Sequence, residues 1–211
     1  MAEKIKDLVS EDISSEITVG CNLCQESSLP VGAKTGYGSV VIYRNGNKGN
    51  GWFATISPKT GSNPQQDFTI QLMSNKHLTH FCQMSNEKGC AENYGSAFAK
   101  LSSAITEIMA SENQDFKVAA DTRESSISVA TYGKCTNWKE KKEHLHVKIF
   151  PFRSAIGQPY TVDSTFEKKQ IHKDKDGEFV KMLPVKKVMI DNDRFNYLAE
   201  KLISSLKENA L

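Results

Sequence analysis

Two imidazoles and an ammonium stand at alternate positions in Glu143-His144-Leu145-His146-Val147-Lys148-Ile149-Phe150-Pro151. Period-two alternation of ionisable and apolar side chains marks a half-buried strand, with Leu145, Val147 and Ile149 on one face and His144, His146 and Lys148 on the other. A strand that gives up the packing value of one face does so most often for a site; two surface histidines on an edge strand are the plainer alternative. Far upstream, Cys21-Asn22-Leu23-Cys24 follows Gly20, which frees the backbone for a tight turn that brings two thiolates to one ion. A lone Cys-x-x-Cys is half of a tetrahedral metal site, and a redox pair or two unliganded thiols fit the same spacing.

The histidine triad superfamily is marked by His-φ-His-φ-His-φ-φ, where φ is apolar, often with a following proline. Residues 144 to 151 resemble that signature, with Lys148 where the third histidine would be. The upstream pieces come in matching order: the Cys-x-x-Cys start of the zinc-bearing branches, an apolar strand ending at His77, a helix, a strand and then the signature. The likeness spans about residues 20 to 155, and it implies an α+β fold with an antiparallel sheet and a packed central helix. It implies a structural zinc held by Cys21, Cys24, His77 and His144, a set with the ligand number and softness zinc takes. His80 lies three residues beyond His77 and stands as a solvated neighbour or an exchangeable choice. His146 becomes the nucleophile, a neutral imidazole near its ordinary pKa whose second nitrogen donates to a fixed acceptor. Lys148 would set positive charge beside the reacting phosphate, although a lysine near its usual pKa of about 10.4 is a poor proton donor to a leaving group. Relatives that hydrolyse carry histidine at that position and relatives that transfer nucleotides carry glutamine, so this chain matches neither pattern. For substrate contacts the likeness points to Ser57 near the ribose and, more loosely, to Lys134, Thr136 and Asn137 near phosphate oxygens. The implied substrate is a nucleoside phosphate ester, phosphoramidate or dinucleoside polyphosphate, handled by a homodimer. A zinc-stabilised nucleotide-binding or regulatory protein without turnover is the competing expectation.

These residues need elements to hold them. Strands are expected over 39–45 and 51–56 around the turn Asn45 to Gly51, where Asn-Gly tolerates positive φ. A glycine-rich phosphate cradle is the sharper reading of that turn, but it lacks the Lys-Ser/Thr ending and following helix of a P-loop. After the polar loop Ser57 to Pro64 comes an alternating strand, Asp67 to Met73. Ala91, Tyr94, Phe98, Leu101, Ile105 and Ile108 recur at helical spacing and predict a core-facing helix over Ala91 to Met109. A strand over Ser126 to Lys134 and the charged connection Cys135 to Lys142 lead into the signature. Beyond it, Glu167 to Asp176 reads as a hairpin or exposed loop, with His172 solvated. Phe195, Leu198, Ala199, Leu202, Ile203 and Leu206 predict a final amphipathic helix over 192–208, capped by Asn192 or Asp193. Ile5, Leu8, Val9, Ile13 and Ile17 suggest a lead-in helix. The expected organisation is therefore 1–19 lead-in helix, 20–155 histidine-triad-like domain and 156–211 an extension packed on the same domain.

Composition sets outer bounds. A chain of 211 residues with 38% hydrophobic content can build one proper core. A net charge of +2 creates no field for polyanions, and the run Lys139 to Lys142 is interrupted by Glu140, which disfavours nucleic acid as a partner. The absence of an 18-residue apolar run and of a signal-peptide core leads to a cytoplasmic expectation with no membrane contact. Five cysteines, an odd number, argue for reduced thiols over a disulfide framework.

Overall fold

A computed structural model describes residues 21–60, 63–114, 128–134, 144–151, 166–175, 177–184 and 187–208. The expected lead-in helix over 1–19, together with Thr136 and Asn137, lies outside the described residues. The chain opens with a short helix, α1 (Asn22–Glu26), then β1 (Val40–Asn45), β2 (Trp52–Ile56), β3 (Lys59–Thr60) and β4 (Ile70–Ser74). A 3₁₀ turn (Phe81–Asn86) leads into the long helix α2 (Cys90–Glu112), followed by β5 (Ser128–Lys134) and β6 (Leu145–Pro151). The ribbon β7 (Phe166–Asp174) and β8 (Gly177–Pro184), the short β9 (Val188–Met189) and the helix α3 (Asn192–Glu208) complete it.

Five strands form one antiparallel sheet in the order β1-β2-β4-β6-β5, so the mixed α+β class is as expected. The signature strand β6 lies inside this sheet, between β4 and β5. One face carries Ile42, Trp52, Ala54, Ile56, Ile70, Leu72, Leu145, Val147 and Ile149 against Leu101, Ile105 and Met109 of α2 and Leu198 and Leu202 of α3. Transfer of such side chains out of water is the main favourable term of folding, at about 25 cal/mol per Å². Trp52 fastens sheet to helix twice: its ring lies 4.9 Å from Tyr94, and its Nε1–H donates to the Cys90 carbonyl at 3.1 Å. Because α3 belongs to this same core, the C-terminal helix is part of the domain and no appendage. No helix among the described residues is long and apolar enough to cross a membrane.

Several details differ from the sequence reading. Helix α2 begins at Cys90 and runs on to Glu112, and it buries Cys90 while Ala91 is exposed. Strand β4 starts at Ile70, because Asp67 is held in a turn by its N–H to the Asn63 carbonyl. The cap of α3 is Asp191, whose Oδ1 accepts from the Asp193 N–H at 2.9 Å; Asn192 and Asp193 are already helical. Strand β6 is not open on its second face, since His144 and His146 are buried and Lys148 is half-buried. The reason is a second, smaller cluster, in which Cys21, Leu23 and Cys24 of the α1 segment pack on Phe53 and Met73 of the sheet.

The turn between β1 and β2 is closed by asparagines. Gly46 sits at φ +59°, as Asn-Gly was expected to allow. The Asn47 side chain accepts from the Gly49 and Asn50 amides, the Asn50 side chain accepts from the Asn47 amide, and the Gly51 amide donates to the Asn47 carbonyl. Those four amides are spent inside the loop, which leaves them unable to cradle a phosphate. Asn75, just past β4, donates to the Asn47 carbonyl at 3.0 Å and so ties the end of β4 to this turn. A methyl group at Gly51 would come within 2.3 Å of both the Asn45 carbonyl and the Asn75 amide. Gly51→Ala should therefore lower stability by about 1–3 kcal/mol, as overpacking does, read by urea unfolding; an unchanged midpoint would contradict this account of the loop.

Candidate metal centre

Three elements converge at one end of the sheet. The N–H of Leu145, the first residue of β6, donates to the Leu78 carbonyl at 2.6 Å, and this bond draws the segment carrying His77 against the start of the strand carrying His144. An ion pair between Lys76 and Glu87, both largely buried, fixes the same segment to the turn before α2. On the other side, Cys21 caps α1 and Cys24 lies in its first turn, so one helical turn presents both sulfurs in the same direction.

Cys21, Cys24, His77 and His144 place one ligand atom each within 4.8 Å of one another, and three of the four residues are buried. This group could hold a metal ion. The His144 Nδ1 lies 3.4 Å from Cys21 Sγ and 3.5 Å from Cys24 Sγ, and the His77 Nδ1 lies 3.2 Å from Cys24 Sγ. For a tetrahedral ion at about 2.3 Å from sulfur and about 2.0 Å from nitrogen, the sulfur-to-nitrogen edge is roughly 3.5 Å. These three sulfur-to-nitrogen spacings match that edge, and the whole set, spread over up to 4.8 Å, could draw in around such an ion. Further support comes from behind the ligand. The His144 Nε2–H donates to the Ser74 carbonyl at 2.9 Å, which fixes the tautomer and leaves the Nδ1 lone pair directed at the sulfurs, the usual arrangement for a metal-bound histidine. The Cys21 thiol is held far below its ordinary range, first by its interaction with Cys24 and also by the neighbouring His144 and His77, against the opposing effect of burial.

His146 is near but distinct. Its Nδ1–H donates to the His144 carbonyl at 3.3 Å, which leaves Nε2 as the free lone pair. The ring is 7% exposed, and its pKa is pushed down to about 4, first by burial and also by the charges of Lys148 and His144, against the carbonyl bond that raises it. The expectation of an imidazole near its ordinary pKa is corrected accordingly. Lys148 follows two positions along on the same face.

Of the remaining expected site residues that are described, Ser57 lies away from His146, whereas Lys134 lies one register step from it on β5. The Ser57 N–H bonds the Thr69 carbonyl, and Ile70 pairs with Ile149. Ser57 is therefore level with Phe150, about 13 Å along the sheet from His146 at about 3.3 Å per residue. Its hydroxyl is engaged with Lys59, donating to the Lys59 carbonyl at 2.9 Å. Lys134 ends β5 as the register partner of Leu145. His80 is exposed and caps the 3₁₀ turn, outside the four-residue group. Cys82 is exposed and Cys90 buried, and no cysteine among those described is in a disulfide. Residues the sequence reading passed over are Ser74, Leu78 and Asn75, which act through backbone carbonyls or loop contacts. The pattern of side-chain types carries no signal for such roles.

Comparison of the chain with protein-family models, with curated proteins and with solved structures finds no match.

Purified chain should carry one divalent ion, measured by elemental analysis, and Cys24→Ser or His144→Ala should each abolish stoichiometric metal. If the ion is held at about a thousand times its Kd, its removal by chelator should cost about 4 kcal/mol, visible as a fall of roughly 10 °C in thermal midpoint. Identical melting with and without chelator would argue against a centre at these residues.

Proposed function

We propose that this chain is a zinc-clasped protein of histidine-triad type that transfers or hydrolyses a nucleotidyl group through His146. The observation that carries the reading is the Nδ1–H bond of His146 to the His144 carbonyl, because it leaves Nε2 unprotonated and holds the ring from behind, as a nucleophilic imidazole requires. The four-residue group next to it is the reason the ring cannot turn away, since the carbonyl it bonds belongs to a ligand residue. Zinc suits two thiols and two imidazoles, and when bound it would supply a structural clamp and no chemistry at phosphorus.

In the first step the Nε2 lone pair attacks the α-phosphorus of a nucleoside phosphate ester, phosphoramidate or dinucleoside polyphosphate. A P–N bond forms, the bond from phosphorus to the leaving group breaks, and the leaving group departs with its electron pair and takes up a proton from solvent. In the second step water or a phosphate acceptor attacks phosphorus, the P–N bond breaks with its pair returning to Nε2, and the attacking oxygen releases its proton to solvent. Lys148, on the same face, offsets the negative charge that grows on the phosphoryl oxygens. Burial of the site strengthens this effect, since charges interact more strongly away from water.

Two observations favour a second reading. His146 is only 7% exposed and a lysine stands at the third signature position, which fits a zinc-stabilised nucleotide-binding or regulatory protein that has no turnover. Incubation with adenosine 5′-phosphoramidate followed by intact-mass measurement separates the two. The catalytic reading expects a nucleotidyl adduct that is acid-labile and absent from His146→Ala, with turnover in that variant lower by at least about a thousandfold, as for loss of a covalent nucleophile. Nucleotide binding with neither adduct nor turnover favours the second reading, and no binding at all removes both.

A further inference from the structure

The strand register places one more polar side chain beside this proposed centre. Gln71 of β4 is the cross-strand partner of Lys148, and its neighbour on the same face, Met73, is the partner of His146. Directly opposed residues on antiparallel strands project to the same face with Cβ atoms about 4.5–5.5 Å apart, and diagonal neighbours lie about 7–8 Å apart. Gln71 therefore flanks Lys148 directly and His146 diagonally, within reach of a group bonded to the His146 ring.

Its setting is unusual for that face. Phe53 and Met73 are fully buried under the α1 segment, and Thr55, the partner of Gln71 on β2, is 2% exposed. Gln71 and Lys148 are only half-buried, so the covering layer thins at this pair. The Gln71 side chain is half-buried, and its carboxamide is not among the described buried polar atoms that lack a partner, so its polar end reaches solvent and is open to a ligand arriving from there. A carboxamide offers two N–H donors. Beside an ammonium it adds donors without competing for the charge, which a carboxylate in that position would neutralise.

Resting on the nucleotidyl reading above, we propose that Gln71 binds the phosphoryl group itself, donating an N–H to a non-bridging oxygen while Lys148 engages another, so that the pair forms a two-point phosphate grip across β4 and β6. The ligand class follows from the chemistry: a tetrahedral phosphoryl group with at least two anionic oxygens to share. The β4 position thus supplies what a single lysine at the third signature position cannot, a fixed neutral donor that orients the phosphorus toward Nε2.

The test is calorimetric binding of AMP and of adenosine to the zinc-loaded full chain and to Gln71→Leu and Gln71→Glu, with metal content and thermal midpoint recorded for each. The wild-type chain should bind AMP more tightly than adenosine. Gln71→Leu should weaken AMP about tenfold and leave adenosine affinity, metal content and melting as they were. Gln71→Glu should weaken AMP further, because its carboxylate pairs with Lys148 and repels phosphate. Equal AMP affinity in all three proteins would overturn the grip while leaving the nucleotidyl reading intact. Parallel losses for AMP and adenosine would overturn it too, by assigning Gln71 to the nucleoside or to the fold. A wild-type chain that binds neither ligand removes both the grip and the reading on which it rests.

Discussion

Four donor atoms gathered within 4.8 Å, two thiol sulfurs from one helical turn and two imidazole nitrogens from separate parts of the chain, are the constraint on which the rest of this end of the molecule depends. Cys21 and His144 are 123 residues apart in sequence. Bringing them together closes a long loop, and the entropy of that closure must be met by what is formed there. Packing contributes part of it. Leu23 with Phe53 and Met73 forms a cluster far smaller than the core on the opposite face. An ion held by the four donors would contribute more than those few side chains can, and the α1 segment would then act as a clasp.

Positions around the clasp are set by backbone bonds more than by side chains. The Ser74 carbonyl orients His144, the His144 carbonyl orients His146, and the Leu78 carbonyl anchors the first amide of β6. The end of β4 is itself held by Asn75 against the asparagine turn, so an exposed hairpin loop, a strand end and two histidines form one continuous set of hydrogen bonds. Such a set resists displacement because breaking any of these bonds would leave a buried polar group without its partner. A fixed ring at His146 is what the proposed nucleophilic role would require, since a misplaced ring costs rate even when every group is present.

On its second face the sheet therefore divides in two. Near His144 it is sealed by the α1 segment; at Gln71 and Lys148 the cover thins and polar groups remain half-buried. Burial of His146 with a lysine close by keeps its ring neutral over the ordinary range of pH. A neutral ring beside a cation and a carboxamide is a combination suited to an anionic ligand, whether that ligand is then turned over or only held.

Much of the architecture was legible in the sequence. Alternation in residues 145 to 151 and helical spacing in 192 to 208 were strong enough to place β6 and α3, because long apolar periodicities report burial directly. Asn-Gly chemistry placed the first hairpin for an equally local reason. Boundaries and caps were less legible: Asp191 caps α3 through a side chain whose neighbours Asn192 and Asp193 are chemically equivalent choices. The four candidate ligands could be named from residue type and order alone, but only by way of a resemblance, since nothing local links Cys24 to His77. Tertiary structure alone decided that the second face of β6 is covered, that Ser57 lies level with Phe150 far from His146, and that Gln71 stands across from Lys148. Those are facts of register and of long-range packing, and a one-dimensional pattern with a period of two specifies which face a residue joins but not which neighbour it meets there.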